Sequence, residues 1–362
     1  MAQILLSLTI VIFIISFINF LTIRIPKRDE AIRKAVTVLA PMRNEAENVP
    51  EFISALSSQM GVKELRFIII NDSSTDKTAE LLTTVIDKDS RFTVIDSPAL
   101  RDGWLGKVSA LQTGFEAAQG EYIITLDADV RLEPNAIMRA VTQLERLRLD
   151  FVSPYPRQIA QTFSEKLIQP LLHWSWMSTI ILRLAEKYPR RSTAVANGQF
   201  FVARKSALDA IEGFTSVNNQ ILDDIELARS LISAGFKGVV TEGSSIASTR
   251  MYSSFDEIRK GYGKSLSKAF GGPIGTLIAI SFIFATGILP AILILSGNLV
   301  GWFCYLYIAF SREISAVRSR SNPLFAFLHP LSSALLIYLI FYSWTQRGKI
   351  QWKGRTDRKS VV

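Results

Sequence analysis

Asp127 and Asp129 stand two residues apart, directly after the apolar run Tyr122-Ile-Ile-Thr-Leu126. Adjacent carboxylates repel unless a proton or a cation lies between them. Hard oxygen ligands suit Mg²⁺ or Mn²⁺, with phosphate oxygens and water completing the shell. On a strand, a spacing of two points both side chains the same way, with Ala128 opposite. A second acidic pair, Asp223-Asp224, opens a helical pattern whose apolar face is Ile225, Ala228, Leu231 and Ile232. Asp is a good N-cap, so capping accounts for one of the two. The other, Asp224, fits a general base for a hydroxyl nucleophile. Between the pairs lies Ala196-Asn-Gly-Gln-Phe-Phe-Val-Ala203, a strand pattern whose Gly198 lines the site in this reading. Arg101-Asp-Gly-Trp-Leu-Gly-Lys107 leads into another helix. Lys107 then sits at a helix N-terminus, where free N–H groups and the dipole favour anions. The alternative for Lys107 is an ordinary solvated helix lysine. This segment is not a Walker loop, and no Gly-x-Gly-x-x-Gly fingerprint occurs.

The elements that must hold these groups are short β-branched runs alternating with amphipathic stretches. The runs are Val36–Ala40, Phe67–Asn71, Phe92–Asp96 and Tyr122–Leu126, each too short for a helix. Helices are expected after Asn48, with Pro50 in the first turn, after Ser74-Thr75-Asp76, and after Gly106. Such alternation predicts an α/β fold, with a mostly parallel sheet covered by helices on both faces. Ligands of these sheets sit beyond the carboxyl ends of the strands. There the chain places Pro41-Met-Arg43-Asn44-Glu45, Asn71-Asp72-Ser-Ser74-Thr-Asp76 and Asp127-Ala-Asp129. Turn chemistry alone favours Asp and Asn at any one of these ends. Their coincidence at three ends points to one polar rim.

The chain has 362 residues, 48% of them apolar, and a net charge of +9. One cysteine, Cys304, excludes an internal disulfide framework, and two histidines leave no zinc ligand set. Ile4 to Ile23 carries no charge and is long enough to cross a bilayer of about 30 Å. It lacks the basic leader of a signal peptide, so residues 1–24 read as a transmembrane anchor. Arg24, Lys27, Arg28, Arg33 and Lys34 follow it, which places the next domain in the cytoplasm. Pro273–Phe310, with a turn at Ser296-Gly297-Asn298, reads as a membrane hairpin, and Pro323–Trp344 is long enough for a further span. The expectation is a multi-pass cell-membrane protein with two to three C-terminal transmembrane helices within 273–345 and a basic tail at 346–362. Three C-terminal spans would put that tail outside, whereas its charge argues for inside. The positive excess is mostly juxtamembrane and suits anionic lipid heads. No basic helix or aromatic platform for nucleic acid occurs in the polar region. Leu167–Ala185 carries Trp174 and Trp176 and is read as part of an interfacial helix over 163–187, with a buried core helix as the alternative.

Taken in order, Pro41-x-Arg43-Asn44-Glu45, Asn71-Asp72-x-Ser74-x-Asp76, Gly103-Trp104-x-Gly106-Lys107, Asp127-Ala-Asp129, Gly198-Gln199 and Asp223-Asp224 resemble the family 2 glycosyltransferases of GT-A fold. The resemblance covers about Val36 to Lys268 and implies a GT-A domain over 35–262. The Gly-Trp-x-Gly-Lys element and Trp352-Lys353-Gly354-Arg355 resemble the membrane-bound branch that glycosylates carotenoids, of the hydroxychlorobactene glucosyltransferase and diaponeurosporenoate glycosyltransferase type. Ceramide glucosyltransferases are more distantly similar.

The resemblance implies a metal-dependent hexosyltransferase using a nucleotide-sugar donor, UDP-hexose, and a lipid acceptor such as a carotenoid or related isoprenoid. On matching residues, it implies that Pro41, Arg43 and Glu45 border the nucleotide, Asp72 approaches the base, and Lys107 faces the diphosphate. Asp127 and Asp129 would hold the ribose and a Mg²⁺ or Mn²⁺ ion, with Asp224 as the base and Asp223 beside it. The Gln/Arg-x-x-Arg-Trp motif of processive relatives is missing from Ser254–Lys264, which argues against polymer synthesis. Arg250, Arg259 and Tyr262 are substitutes for closing the site in that reading. Two rival readings stay open: transfer to a polyprenyl phosphate or another glycolipid acceptor, and a non-catalytic membrane scaffold.

Overall fold

The computed structural model describes residues 2–346, 351–352 and 355–356. In chain order the strands are β1 (Val36–Met42), β2 (Leu65–Asn71), β3 (Phe92–Asp96), β4 (Tyr122–Leu126), β5 (Val130–Leu132), β6 (Phe151–Tyr155), β7 (Arg157–Gln158), β8 (Phe200–Arg204), β9 (Gly238–Glu242) and β10 (Ala247–Thr249). The helices are α1 (Ala2–Thr22), α2 (Val49–Ser57), α3 (Thr78–Ile86), α4 (Gly106–Ala117), α5 (Ala136–Arg146), α6 (Phe163–Thr179), α7 (Leu182–Lys187), α8 (Lys205–Asp209) and α9 (Asp223–Ser233). They continue as α10 (Phe255–Ala269), α11 (Pro273–Ile283), α12 (Leu289–Leu295), α13 (Leu299–Arg318) and α14 (His329–Thr345). Gln351–Trp352 and Arg355–Thr356 pair antiparallel. The other residues of the expected basic tail, among them Arg347, Lys349, Lys353, Gly354, Arg358 and Lys359, lie outside the described residues.

The chain divides into two compact units. One comprises Arg24–Arg157 and Ala185–Thr249; the other holds α1, Gln158–Leu184 and the helices from Arg250 onward. The first is the α/β unit. Its seven-stranded sheet has the order β3-β2-β1-β4-β8-β6-β9. The four strands expected from β-branched runs are there, and β1 pairs parallel with both β2 and β4. β8 is the exception to the parallel pattern: it runs antiparallel to β4 and to β6. Alternate residues of β1 face opposite cores. Val36, Val38 and Ala40 pack with Phe52 and Ile53 of α2 and with Ile137 and Val141 of α5. Leu39 packs with Val108, Leu111 and Phe115 of α4 and Leu231 of α9. Burying both faces is what makes the strands read as continuous apolar runs.

The second unit is helical. Among the described residues, three stretches are long and apolar enough to cross a membrane: Ala2–Thr22, Pro273–Leu295 and Pro323–Thr345. α13, which carries Arg312, Glu313 and Arg318, is not among them, so two candidate spans lie toward the C-terminus. The expected turn at Ser296–Asn298 separates α12 from α13, with Gly297 at φ 78° and the Asn298 side chain accepting from the Val300 N–H. Residues 163–187 form two helices rather than one. α6 stops at Thr179 and α7 starts at Leu182. Asn19, the one strongly polar residue of Ile4–Ile23, satisfies that break. Its amide donates to the Met177 and Ile180 carbonyls at 2.8 and 2.6 Å and accepts from the Leu182 N–H at 3.0 Å. Most of α6 is buried within its unit, Trp174 and Trp176 included. Glu165 on α6 closes a capping box with Thr162 and pairs with Arg250. Arg259 pairs with Asp256, and the Tyr262 hydroxyl donates to Gln169.

Candidate active site

The site is assembled at the carboxyl ends of β1, β2 and β4, which are neighbours in the sheet. Beyond β1 and β2 the chain makes two loops that stitch to each other. The Arg43 Nη1 donates to the carbonyls of Asp72 and Ser73 at 2.6 and 2.9 Å. The Asn44 side chain accepts from the Thr75 N–H at 2.8 Å. Asn44 and Ser73 both have left-handed φ, 52° and 51°, a conformation found where surrounding structure over-determines the backbone. Asp76 accepts from Thr78 and from the Ala46 N–H, and its carboxyl lies below the usual range, with those hydrogen bonds outweighing burial. The Glu45 carboxylate accepts from Asn48 at 2.8 Å. Pro41 is buried within β1, and Arg43 is nearly as buried. These two shape the rim, while Glu45 and the loop backbones form its edge.

At the end of β4 the chain leaves the pleat. Asp127, Ala128 and Asp129 lie in a turn closed by the Val130 N–H donating to the Asp127 carbonyl at 3.1 Å. The strand alternation expected to align the two carboxylates therefore does not place them; the turn does. Asp127 Oδ1 meets the Lys107 ammonium at 2.7 Å. Lys107 is the second residue of α4 and is held in an ion pair rather than solvated. Asp129 Oδ1 is buried and accepts no hydrogen bond. Burial, followed by the charge of Asp127, pushes the Asp129 carboxyl up to about 6. The charge of Glu45 adds to this, which ties the β1 rim to the β4 turn.

α9 starts with the second acidic pair, but its N-cap is Leu222, and no side chain caps it. Neither Asp223 nor Asp224 is an N-cap, so the capping reading is not met. Asp224 Oδ2 accepts from the Gly198 N–H at 2.7 Å, and Oδ1 accepts from the Ile225 N–H at 2.8 Å. Gly198 lies in a turn before β8 rather than on a strand. A Cβ there would stand 3.2 Å from the Asp224 Cβ and 3.5 Å from both Asp224 Oδ2 and Lys107 Nζ. Lys107, Asp127, Gly198 and Asp224 thus meet in one place. Burial would depress Lys107, but the charges of Asp127 and Asp223 reverse this and hold it firmly protonated. Burial raises the Asp223 carboxyl to about 6 against the pull of Lys107, with Asp224 and Asp127 adding to the rise. Asp224 is raised too, by burial first, although Lys107 and the two backbone N–H groups oppose it.

The three carboxylates do not gather around one ion. Asp127 is engaged by Lys107 and Asp224 by backbone N–H groups. Among the described residues, no group of three or more His, Cys, Asp or Glu side chains is placed to hold a metal. The pair Asp127 and Asp129 remains, with one orphaned buried oxygen on Asp129. That donor set fits a hard divalent cation whose other ligands come from a diphosphate and water. One site residue has no motif to announce it. Tyr155 ends β6, and burial pushes its phenol well above the usual value, with the Asp224 and Glu242 charges acting in the same direction. Its signal is the run Phe151-Val-Ser-Pro-Tyr155, a further apolar strand whose last residue is polar.

Residues 37–212 match the family described as Glycosyl transferase family 2. The matched stretch takes in the rim loops, Lys107, Asp127, Asp129 and Gly198, and ends before Asp223-Asp224. The chain is 36% identical over 111 residues to the undecaprenyl-phosphate 4-deoxy-4-formamido-L-arabinose transferase of Pectobacterium carotovorum subsp. carotovorum, covering 30% of this chain and 33% of that protein. It is 29% identical over 216 residues to a probable glycosyltransferase of Sulfolobus acidocaldarius, covering 58% of this chain and 44% of that one. The chain thus spans a third of the first relative's length and less than half of the second's. A mannosyltransferase of Pyrobaculum calidifontis, solved with GDP-Man and Mn²⁺, superposes with a TM-score of 0.53 at 16% identity, covering 95% of this chain and 98% of that one. At that identity the likeness concerns the fold, which is GT-A-like. The glycosyltransferase assignment made from the motifs holds at the level of family and fold. The carotenoid branch does not follow from these relatives.

Proposed function

We propose that the protein is an inverting glycosyltransferase that moves a hexose from a nucleotide sugar, UDP-hexose, to a lipid acceptor at the cytoplasmic face of a cell membrane. The observation that carries this reading is the approach of Lys107 and Asp224 to each other at Gly198, with Lys107 paired to Asp127. In a single displacement, the bond from the anomeric carbon to the diphosphate breaks, and its electron pair leaves with the nucleoside diphosphate. The acceptor oxygen forms the new bond at that carbon from the opposite side. Asp224 takes the proton of an acceptor hydroxyl as the bond forms. Its two backbone hydrogen bonds hold the carboxylate in place, and the raised carboxyl makes it a stronger base than an exposed aspartate. The fixed Lys107 ammonium stabilises the charge that develops on the leaving diphosphate, at no reorganisation cost. A divalent ion held by Asp129 and Asp127 would add charge neutralisation at the same diphosphate. Asp223 keeps the local field negative beside the cationic sugar.

For the acceptor we infer an isoprenoid of the carotenoid kind, through a hydroxyl or a carboxyl. The Gly103-Trp104-x-Gly106-Lys107 element supports the kind. The base supports the hydroxyl, since a carboxyl is already ionised at neutral pH. The names of the undecaprenyl-phosphate relatives favour a second reading, transfer to a polyprenyl phosphate. The two differ chemically, because a phosphate is already ionised at neutral pH and needs no base. Lipid mass spectrometry of cells with and without the protein identifies the product. Purified Asp224→Asn then separates the readings. A hydroxyl acceptor loses turnover, whereas a phosphate acceptor retains most of it. Absence of transfer and of donor hydrolysis with every nucleotide sugar would leave the scaffold reading.

A further inference from the structure

Just ahead of β8, the turn Asn197-Gly198-Gln199 joins the two acidic groups of the site. The β6–β8 ladder pairs Phe151 with Ala203 and Val152 with Val202. At the next residue of β6 a side chain takes over from the backbone. The Ser153 hydroxyl accepts from the Asn197 N–H at 2.8 Å and donates to the Asn197 carbonyl at 3.1 Å. Asn197 Oδ1 accepts from the Gln199 N–H at 2.8 Å, which closes an Asx turn, and Nδ2 donates to Gln199 Oε1 at 3.2 Å. The Asn197 amide also hydrogen-bonds the Tyr155 phenol. Ser153, Tyr155, Asn197 and Gln199 are all buried.

Held in this way, the turn spends its remaining backbone groups on the site. The Gly198 N–H donates to Asp224 Oδ2 at 2.7 Å. The Gln199 carbonyl accepts from the Asp127 N–H at 3.2 Å, just beyond the last β4–β8 pair, Leu126 with Phe200. One residue grips the proposed base, and the next grips the turn that carries the partner of Lys107. Starting a strand needs neither contact, because an Asx turn closes on its own backbone. A buried polar network whose members are satisfied specifies one geometry. That matters here, since a displacement of about 1 Å at a catalytic group costs on the order of 10²-fold in rate.

We infer that Asn197, braced by Ser153 and Tyr155, is a positioning residue that sets Asp224 against the Asp127–Lys107 pair. Its effect on rate rests on the sugar-transfer reading; its geometry does not. Hydrogen–deuterium exchange on the full-length protein in detergent tests the geometry. Asn197→Ala should speed exchange both in peptides carrying Gly198 and in peptides carrying Asp127, while β1 and β2 stay protected. Faster exchange at 197–199 with Asp127 unchanged would overturn the strut. Kinetics with UDP-glucose and a hydroxylated carotenoid test the consequence. Asn197→Ala should lower kcat by about 10–10²-fold with the donor KM little changed. Asn197→Ser, whose hydroxyl can rebuild the turn, should recover part of that loss. In the Asp224→Asn background, Asn197→Ala should cost no more than about twofold, because its effect runs through Asp224. Equal falls in the two backgrounds, or wild-type kcat in Asn197→Ala, would overturn the positioning role. Wild-type turnover in Asp224→Asn alone, or no turnover in wild type, counts against the sugar-transfer reading instead and leaves exchange to decide the strut. Should Asn197→Ala fail to fold, Ser153→Ala removes both bonds to the Asn197 backbone and is held to the same outcomes.

Discussion

The two units treat an enclosed cation in opposite ways. In the α/β unit, Lys107 is ringed by Asp127, Asp223 and Asp224, so the local balance is negative. In the helical unit, Arg312 meets a neutral histidine, with serines and an indole around it, and the balance is positive. The first arrangement holds its cation in place and keeps carboxylates in reserve for a metal, a proton or an oxocarbenium-like sugar. The second leaves donors unspent. What separates them is the partner, because burial is common to both. One buried cation has several counter-charges, and the other has none among the described residues.

The strongest way to break the first half of that comparison is to remove the base. Asp224→Asn keeps the size of the side chain, and its one oxygen can still accept from one of the two backbone N–H groups. It should cut transfer to a hydroxyl acceptor by about 10²–10⁴-fold. Wild-type turnover on a hydroxyl acceptor would reject Asp224. Lys107→Met should cost about 10²–10³-fold, the usual scale for a fixed donor to a developing charge. It should also shift the pH profile in a defined direction. Lys107 lowers the Asp223 and Asp224 carboxyls. Without it they rise further, so the acid limb of the rate profile moves to higher pH.

A paired cation in the helical unit gives a sharper contrast. Arg250, the Thr162 hydroxyl and the Gln161 N–H overcome burial and hold Glu165 at about 2, against an ordinary value of 4.5. A depressed acid stabilises the fold above its unfolded value. This contribution, of the order of 3 kcal/mol, should be present above about pH 4.5 and fade toward pH 2. Glu165→Gln should flatten the fall of the unfolding midpoint over that window, and an unchanged slope would show that the pair does not matter. The smallest effect is expected from Gly198→Ala. The new methyl must shift Asp224 by a few tenths of an ångström, and about a tenfold drop in turnover with little change in melting would fit a positioning fault.

Much of the α/β unit was legible because its strands are local statements. Phe92–Asp96 and Tyr122–Leu126 match their strands end to end, and the first two runs extend by only a few residues. The antiparallel insertion of β8 between β4 and β6 was not legible, since a pairing across some 80 residues leaves no mark on either segment's own pattern. Lys107, Gly198 and Asp224 could be nominated by type, but their mutual approach is a product of that insertion. Asp127 and Asp129 were found through an alternation argument that the turn overrides. Tyr155 was missed because a tyrosine at a strand end is ordinary. Arg312 carries no motif, and it is buried because α13 continues past Phe310 to Arg318.

The order in which the chain visits its two units has a practical consequence. It leaves the helical unit after Ile23, returns to it for Gln158–Leu184, departs again, and comes back at Arg250. No single cut therefore yields a self-sufficient soluble enzyme. A fragment spanning 24–249 would still carry α6, stripped of the α1, α13 and α14 helices that cover Leu167, Ile168 and Trp174. Expression trials on such a fragment should give precipitate, and catalysis will have to be studied on intact protein in detergent or nanodiscs.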